Sequence, residues 1–151
     1  MKYKILITAM AVGLAFSAAA SGQPVAGSAN PYVPRLGDIM GATQLRHIKL
    51  WFAGKEKNWA LAEYELEQIR YTFQDALTLY PGLPAANMTT MTAPTGEIDA
   101  AIKAKDSSKF AKAFGHLTTA CNSCHRAQGY GYISITVPGV SPFSDERFSP
   151  K

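Results

Sequence analysis

The residues of this chain with the clearest chemistry lie late in it: Cys121, Asn122, Ser123, Cys124 and His125 form a Cys-x-x-Cys-His run. That spacing matches the attachment pattern for c-type haem. Two thiols one helical turn apart can each add across one haem vinyl group, giving two thioethers. The adjacent histidine then reaches the iron from the same side as its proximal ligand. Cys121 and Cys124 are therefore the expected covalent links to one haem, and His125 the expected iron ligand.

Three other readings compete. A thioredoxin-like redox pair opens a helix after a strand, where the helix N-terminus lowers a thiol pKa; this run instead comes late in a helical pattern with no βαβ unit around it. A zinc site needs two further ligands, and His47 and His116 are available but lack ligand spacing. A structural disulfide would close a very small, strained loop in helical geometry.

The elements that must position the motif read as helices. Leu36, Ile39, Met40, Thr43, His47, Leu50 and Trp51 recur at steps of three and four, which places them on one helical face. Gly54 is expected to stop this first helix. Asn58 can cap a second helix, with Trp59, Ala62, Leu66, Ile69, Phe73, Ala76 and Leu77 along one side and Pro81-Gly82-Leu83-Pro84 ending it. Thr95 can cap a short third helix reaching Lys105, and Asp106 a fourth. The apolar stripe of the fourth is Phe110, Ala113, Phe114, Leu117, Ala120, Cys121 and Cys124, and Gly129 closes it. After it, Ile133, Ile135 and Val137 alternate like a strand, but nothing else in the chain offers a strand to pair with. The tail is expected to lie extended across the helices. The expected fold is all-α, an antiparallel four-helix bundle with an extended C-terminal tail.

Composition bounds the rest. The chain has 151 residues, 47% hydrophobic and 17% charged, which suits one globular domain. Lys2 and Lys4 precede an uncharged run from Ile5 to Ala20, and Ser21-Gly22-Gln23-Pro24 follows. A basic start, a short apolar stretch and small residues at its end predict a secretory signal peptide over 1–20, with a flexible lead-in over 21–34. The haem-binding bundle then spans 35–128 and the tail 129–151. Without its two lysines, the formal charge of +4 falls to about +2. No Lys/Arg stripe interleaved with aromatics suggests nucleic-acid binding. No membrane span is expected in the mature chain, and the expected location is the periplasm.

With the motif near its end and no methionine after Cys124, the chain is unlike the small mitochondrial-type cytochromes. It resembles the cytochrome c-prime family and its low-spin, methionine-ligated relatives, exported four-helix bundles with Cys-x-x-Cys-His on the last helix. Residue by residue, Cys121, Cys124, His125 and the first-helix Met40 carry the resemblance. The segment Arg46-His47-Ile48-Lys49-Leu50-Trp51-Phe52-Ala53-Gly54 and the end Ser141-Pro142-Phe143-Ser144 also look like a group of exported bundle cytochromes.

Counting along antiparallel neighbours ranks the residues opposite His125. Met40 sits near the start of the first helix and His125 near the end of the last, so the two are nearly level. His47 lies roughly 10 Å further along the axis, level with His116. Met40 is thus the first candidate for the distal iron ligand, with an open sixth site, His47, Met88 and Met91 as alternatives. A core methionine filling space remains the plain reading of Met40, and His47 reads best as a hydrogen-bonded core or haem-edge residue near His116. Trp51 and Trp59 read as core packing.

Two surface features remain. Gly41, Leu45, Ile48 and Phe52 form a second apolar strip, either covered by the tail or a neighbouring helix or used in a homodimer. The resemblance favours the homodimer. Lys103, Lys105, Lys109 and Lys112 gather near the third junction, either as a solvated face or as a steering patch for an unidentified redox partner. The expected function is a one-electron carrier with a single covalent haem c. The alternatives are a cytochrome binding nitric oxide or carbon monoxide at an open site and a haem-free thiol oxidoreductase. No acid/base pair, activated nucleophile or phosphate loop suggests an enzyme.

Overall fold

In the computed structural model, residues 32–83 and 90–150 are described. The expected signal peptide, most of the lead-in and Met88 lie outside them. Four helices follow one another: α1 (Leu36–Lys55), α2 (Trp59–Leu79), α3 (Thr92–Lys103) and α4 (Ser107–Ala127). Each packs on the next and α4 returns to α1, closing an antiparallel ring. Among the described residues there is no strand, and no helix is long and apolar enough to cross a membrane. The bundle expected from periodicity is the one observed.

The two tight junctions share one design. At the end of α1, Lys57 takes the left-handed conformation (φ 59°). There the Lys57 N–H donates to Gly54 O at 3.1 Å and the Asn58 N–H donates to Ala53 O at 2.8 Å, the paired bonds of a Schellman ending. At the end of α3, Lys105 (φ 53°) does the same. Its N–H donates to Ile102 O at 2.9 Å, and that of Asp106 donates to Ala101 O at 3.0 Å. The residue that completes each ending also caps the next helix. Asn58 Oδ1 accepts from the Leu61 N–H at 3.3 Å. Asp106 Oδ1 accepts from the amides of Ser108 and Lys109, each at 3.0 Å. The caps expected at Asn58 and Asp106 are therefore found. The Lys109 amide bond is the largest influence holding the Asp106 carboxyl below the usual range.

Two expectations about helix ends are corrected. Gly54 does not stop α1; it lies buried inside it. Its lack of a side chain serves packing, because a Cβ there would run into the Phe110 ring. Thr95 does not cap α3, which begins at Thr92 after Met91. The Thr95 hydroxyl turns back onto its own helix, 2.8 Å from Met91 O and 3.1 Å from Thr92 O.

Between these junctions the bundle is filled with rings. Trp51 lies 4.9 Å from Phe114 and 6.3 Å from Phe110 between ring centroids. Trp59 meets the edge of Phe110 at 6.0 Å. Phe110, Phe114, Leu50, Leu66, Ile69, Ile98 and Leu117 are fully buried, each contributing about 1.5–3 kcal/mol by leaving water. The tryptophans pack as expected, and this half fixes how α4 lies against α1.

Residues 130–150 form neither helix nor strand and are pinned at several points. Phe148 is buried, its ring 5.6 Å from that of Phe52 on α1. Glu146 pairs with Lys49 at 2.6 Å, and Lys49 also lies over the Phe143 ring. These contacts cover part of the second apolar strip: Phe52 is buried and Ile48 half-buried, while Gly41 and Leu45 stay exposed.

Candidate functional site

At the other end of the bundle the first and last helices enclose a cavity of about 340 Å³. Its α1 wall comprises Leu36, Gly37, Met40, Gly41, Thr43, Gln44 and His47. Phe73 of α2 and Met91, just before α3, line its interior side. Across from α1 stand Cys121, Cys124 and His125 of α4, with Tyr130, Ile133 and Ile135 beyond the helix end. The volume falls within the range of small-molecule and cofactor pockets. The lining explains why the space exists. Where α1 carries Trp51 and Gly54 against α4, rings fill the interface; nearer its start it carries Gly37 and Gly41.

The structure brings together all the sequence-predicted site residues that lie among the described ones. Cys121, Cys124, His125, Met40, His47 and Met91 share this one cavity. Met91 is buried and Met40 half-buried. Both thiols are free. Burial, and secondarily the neighbouring Cys124, pushes the Cys121 thiol up to about 11. Burial also raises Cys124. Both sulfurs are thus neutral thiols at neutral pH, the reverse of the activated thiolate that a thioredoxin-like reaction needs. Among the described residues no group of three or more His, Cys, Asp or Glu side chains gathers to hold a metal ion. The zinc reading therefore lacks its remaining ligands there.

His125 is oriented from outside its own helix. Its Nδ1 lies 2.9 Å from the carbonyl of Ile133. A carbonyl only accepts, so Nδ1 carries a proton, and in the neutral ring the lone pair is then on Nε2. Asn122, three positions before His125, makes two bonds to Ile135. Its Nδ2 donates to Ile135 O at 2.8 Å, and its Oδ1 accepts from the Ile135 N–H at 2.7 Å. The alternation of Ile133, Ile135 and Val137 therefore finds a side-chain amide as its partner instead of a strand. The motif itself assigns no role to Asn122.

His47 and Thr43 are the buried polar residues of the cavity's lining. Thr118 Oγ1 donates to Phe114 O at 2.9 Å, so it accepts from His47 Nε2, also 2.9 Å away. The His47 ring is then the Nε2–H tautomer, and its Nδ1 is buried without a partner. Burial lowers its pKa to about 4, so His47 is neutral in the fold. The expected neighbour is absent: His116 turns to α3, its Nδ1 2.7 Å from Glu97 Oε2 at the surface. Thr118 faces α1, and two residues of helix turn the chain about 200° away from it.

Between α1 and α2, buried Glu65 meets Arg46 at 3.2 Å. Burial raises the Glu65 pKa, and Arg46 counters only part of that rise. The lysine group lies elsewhere. Lys109 is roughly 24 Å from His125 along the axis of α4, at the ring-packed end. Lys103 there pairs with Asp99 and Lys109 with Asp106.

No protein-family model, curated protein or solved structure matches the chain.

Proposed function

We propose that this chain is a c-type cytochrome, a one-electron carrier whose single haem is held covalently in the cavity between α1 and α4. One observation carries the reading: two neutral thiols and an imidazole with a free Nε2 line one cavity from one helix, and two thioethers line it from other elements. The donor set fits. Neutral Cys121 and Cys124 suit addition across a vinyl double bond, with sulfur bonding to one carbon and the thiol hydrogen passing to the other. No electron donor or acceptor is consumed. His125 offers Nε2 to the metal while Nδ1 is held by a backbone carbonyl, the usual arrangement behind a ligating histidine. Met40 and Met91 offer thioethers from facing elements, and thioether ligation favours the ferrous state. Haem, when bound, supplies an iron that exchanges one electron. The surrounding chain contributes an apolar lining and a packed bundle beneath it, which limit reorganisation on electron transfer.

The expected setting is the periplasm, after export and removal of residues 1–20, with a redox partner protein and a homodimer through the exposed part of α1 as further elements of the proposal. A gas-binding role is the second reading, favoured by the largely hydrocarbon wall of Leu36, Phe73 and Met91.

Absorption spectra of haem-matured protein, oxidised and reduced, with and without carbon monoxide, test the assignment. A low-spin spectrum blind to the gas, becoming high-spin and gas-sensitive in Met40→Ala, is the carrier result. A high-spin, gas-sensitive wild type assigns the second reading instead.

A further inference from the structure

Asn122 occupies the first variable position of the motif, where the attachment chemistry itself asks nothing of the side chain. Here its amide satisfies both backbone groups of Ile135, at 2.8 and 2.7 Å. One partner must accept and the other must donate, so the amide has one orientation and only an amide fits. Two residues earlier on the same segment, the Ile133 carbonyl takes the His125 Nδ1–H. Ile133 is 43% exposed, so packing alone does not hold that carbonyl. Its position comes from hydrogen bonds on either side. On one side the Ile133 N–H donates to Tyr130 O at 2.8 Å, and the Tyr130 N–H donates to His125 O at 2.7 Å. On the other side stands the Asn122 pair.

We propose that Asn122 is a positioning residue for His125: by fixing the register of Ile135 it places the Ile133 carbonyl that selects the Nδ1–H tautomer and the ring orientation of the iron ligand. The inference rests on the proposed haem site. A histidine whose N–H is well accepted is the more basic ligand, so Asn122 acts through it to favour ferric iron and lower the potential. An aspartate at this position would keep the acceptor for the Ile135 N–H but turn a carboxylate towards the Ile135 carbonyl, and would not replace it.

The test compares wild type, Asn122→Ala, Asn122→Asp and, as a neighbouring control on α4, Ser123→Ala. Each is the full chain matured with haem. The readouts are the midpoint potential, the His125 Nδ1–H signal by nitrogen-15 NMR, and hydrogen exchange at the Ile135 amide. Both Asn122 variants are expected to raise the potential and to lose or broaden the Nδ1–H signal. Asn122→Ala should also exchange the Ile135 amide about tenfold faster or more, as loss of two net hydrogen bonds implies, and Asn122→Asp, which keeps that amide's acceptor, should speed it less. Ser123→Ala should change none of these. Faster exchange at Ile135 with an unchanged potential and Nδ1–H signal overturns the inference, since Asn122 would then only fasten the segment. Unchanged exchange in Asn122→Ala overturns it at the first step. Wild type that takes up no haem sinks the proposed function instead, and exchange and the His125 tautomer, read on the same full chain without haem, still decide the clamp.

Discussion

The two halves of the α1–α4 interface are built on opposite principles. Towards the junctions, α1 offers Trp51 and a buried Gly54, and α4 answers with Phe110 and Phe114; ring meets ring, and no room is left for even one added Cβ at Gly54. Towards the other end, α1 offers Gly37, Met40 and Gly41, α4 offers two thiols and an imidazole, and a cavity of about 340 Å³ separates them. His47 stands at the border, its ring tilted against that of Phe114 at 4.3 Å between centroids and lining the cavity. The contrast is one of purpose. Close packing at one end holds the helices in register, which lets the other end remain open without collapse. Under the proposed function, stability and chemistry thereby fall to different residues of the same two helices.

Substitutions should separate the two halves. The largest effect on stability is expected at the packed end: Phe110→Ala should cost about 3–5 kcal/mol, read from urea unfolding, while leaving the absorption spectrum of loaded protein unaltered. A spectral change of the same size as that of a cavity variant would dissolve the distinction.

The border residue comes next. His47 is held near a pKa of about 4 in the fold against 6.5 when unfolded. The unfolded chain therefore takes up a proton first as pH falls, so this contribution is complete above pH 6.5 and is lost on descending towards pH 4. The loss is about 3 kcal/mol, and unfolding midpoints across pH 4 to 7 measure it. His47→Gln should flatten that dependence.

Glu65 acts with the opposite sign. Its pKa is raised chiefly by burial, so the folded state holds its proton longer than the unfolded chain. Stability should fall as pH rises from the ordinary glutamate range through the raised value. Glu65→Gln should remove that slope. A wild-type slope unaffected by the substitution would locate the effect at another group.

The smallest stability effect is expected at the open end. Met40 is half-buried beside a cavity, so Met40→Ala should cost less than about 2 kcal/mol, the lower limit for a buried Met→Ala. Yet under the proposed function it is the substitution that moves the spectrum most. A Met40 variant that unfolds like Phe110→Ala would show Met40 to be a packing residue.

Much of the bundle is legible in the chain because apolar spacing and capping chemistry are local. The stripe from Phe110 to Cys124, the caps Asn58 and Asp106, and the left-handed Gly129 (φ 79°) all follow from residue type and position. The misreadings have a common origin. Gly54 looks like a helix stop, but the left-handed residues at the two junctions are lysines, which carry no such preference. What Gly54 provides is room for a ring from another helix, visible only once α4 is in place. At the site, levelling antiparallel helices correctly brings Met40 to the same cavity as His125. The same count puts His47 level with His116, but level is not facing. Asn122 was illegible for a deeper reason: its partners are backbone atoms of a segment with no regular structure of its own.

The central claim is that Cys121 and Cys124 hold a haem in this cavity. The most direct measurement is the intact mass of the full chain produced in a host that exports and matures c-type cytochromes, read beside that of Cys121→Ser/Cys124→Ser. A haem held by both thioethers should give a wild-type mass increased by one haem that survives acid and organic extraction, and no increase in the double variant. A wild type recovered in that host at the mass of the bare polypeptide would contradict it.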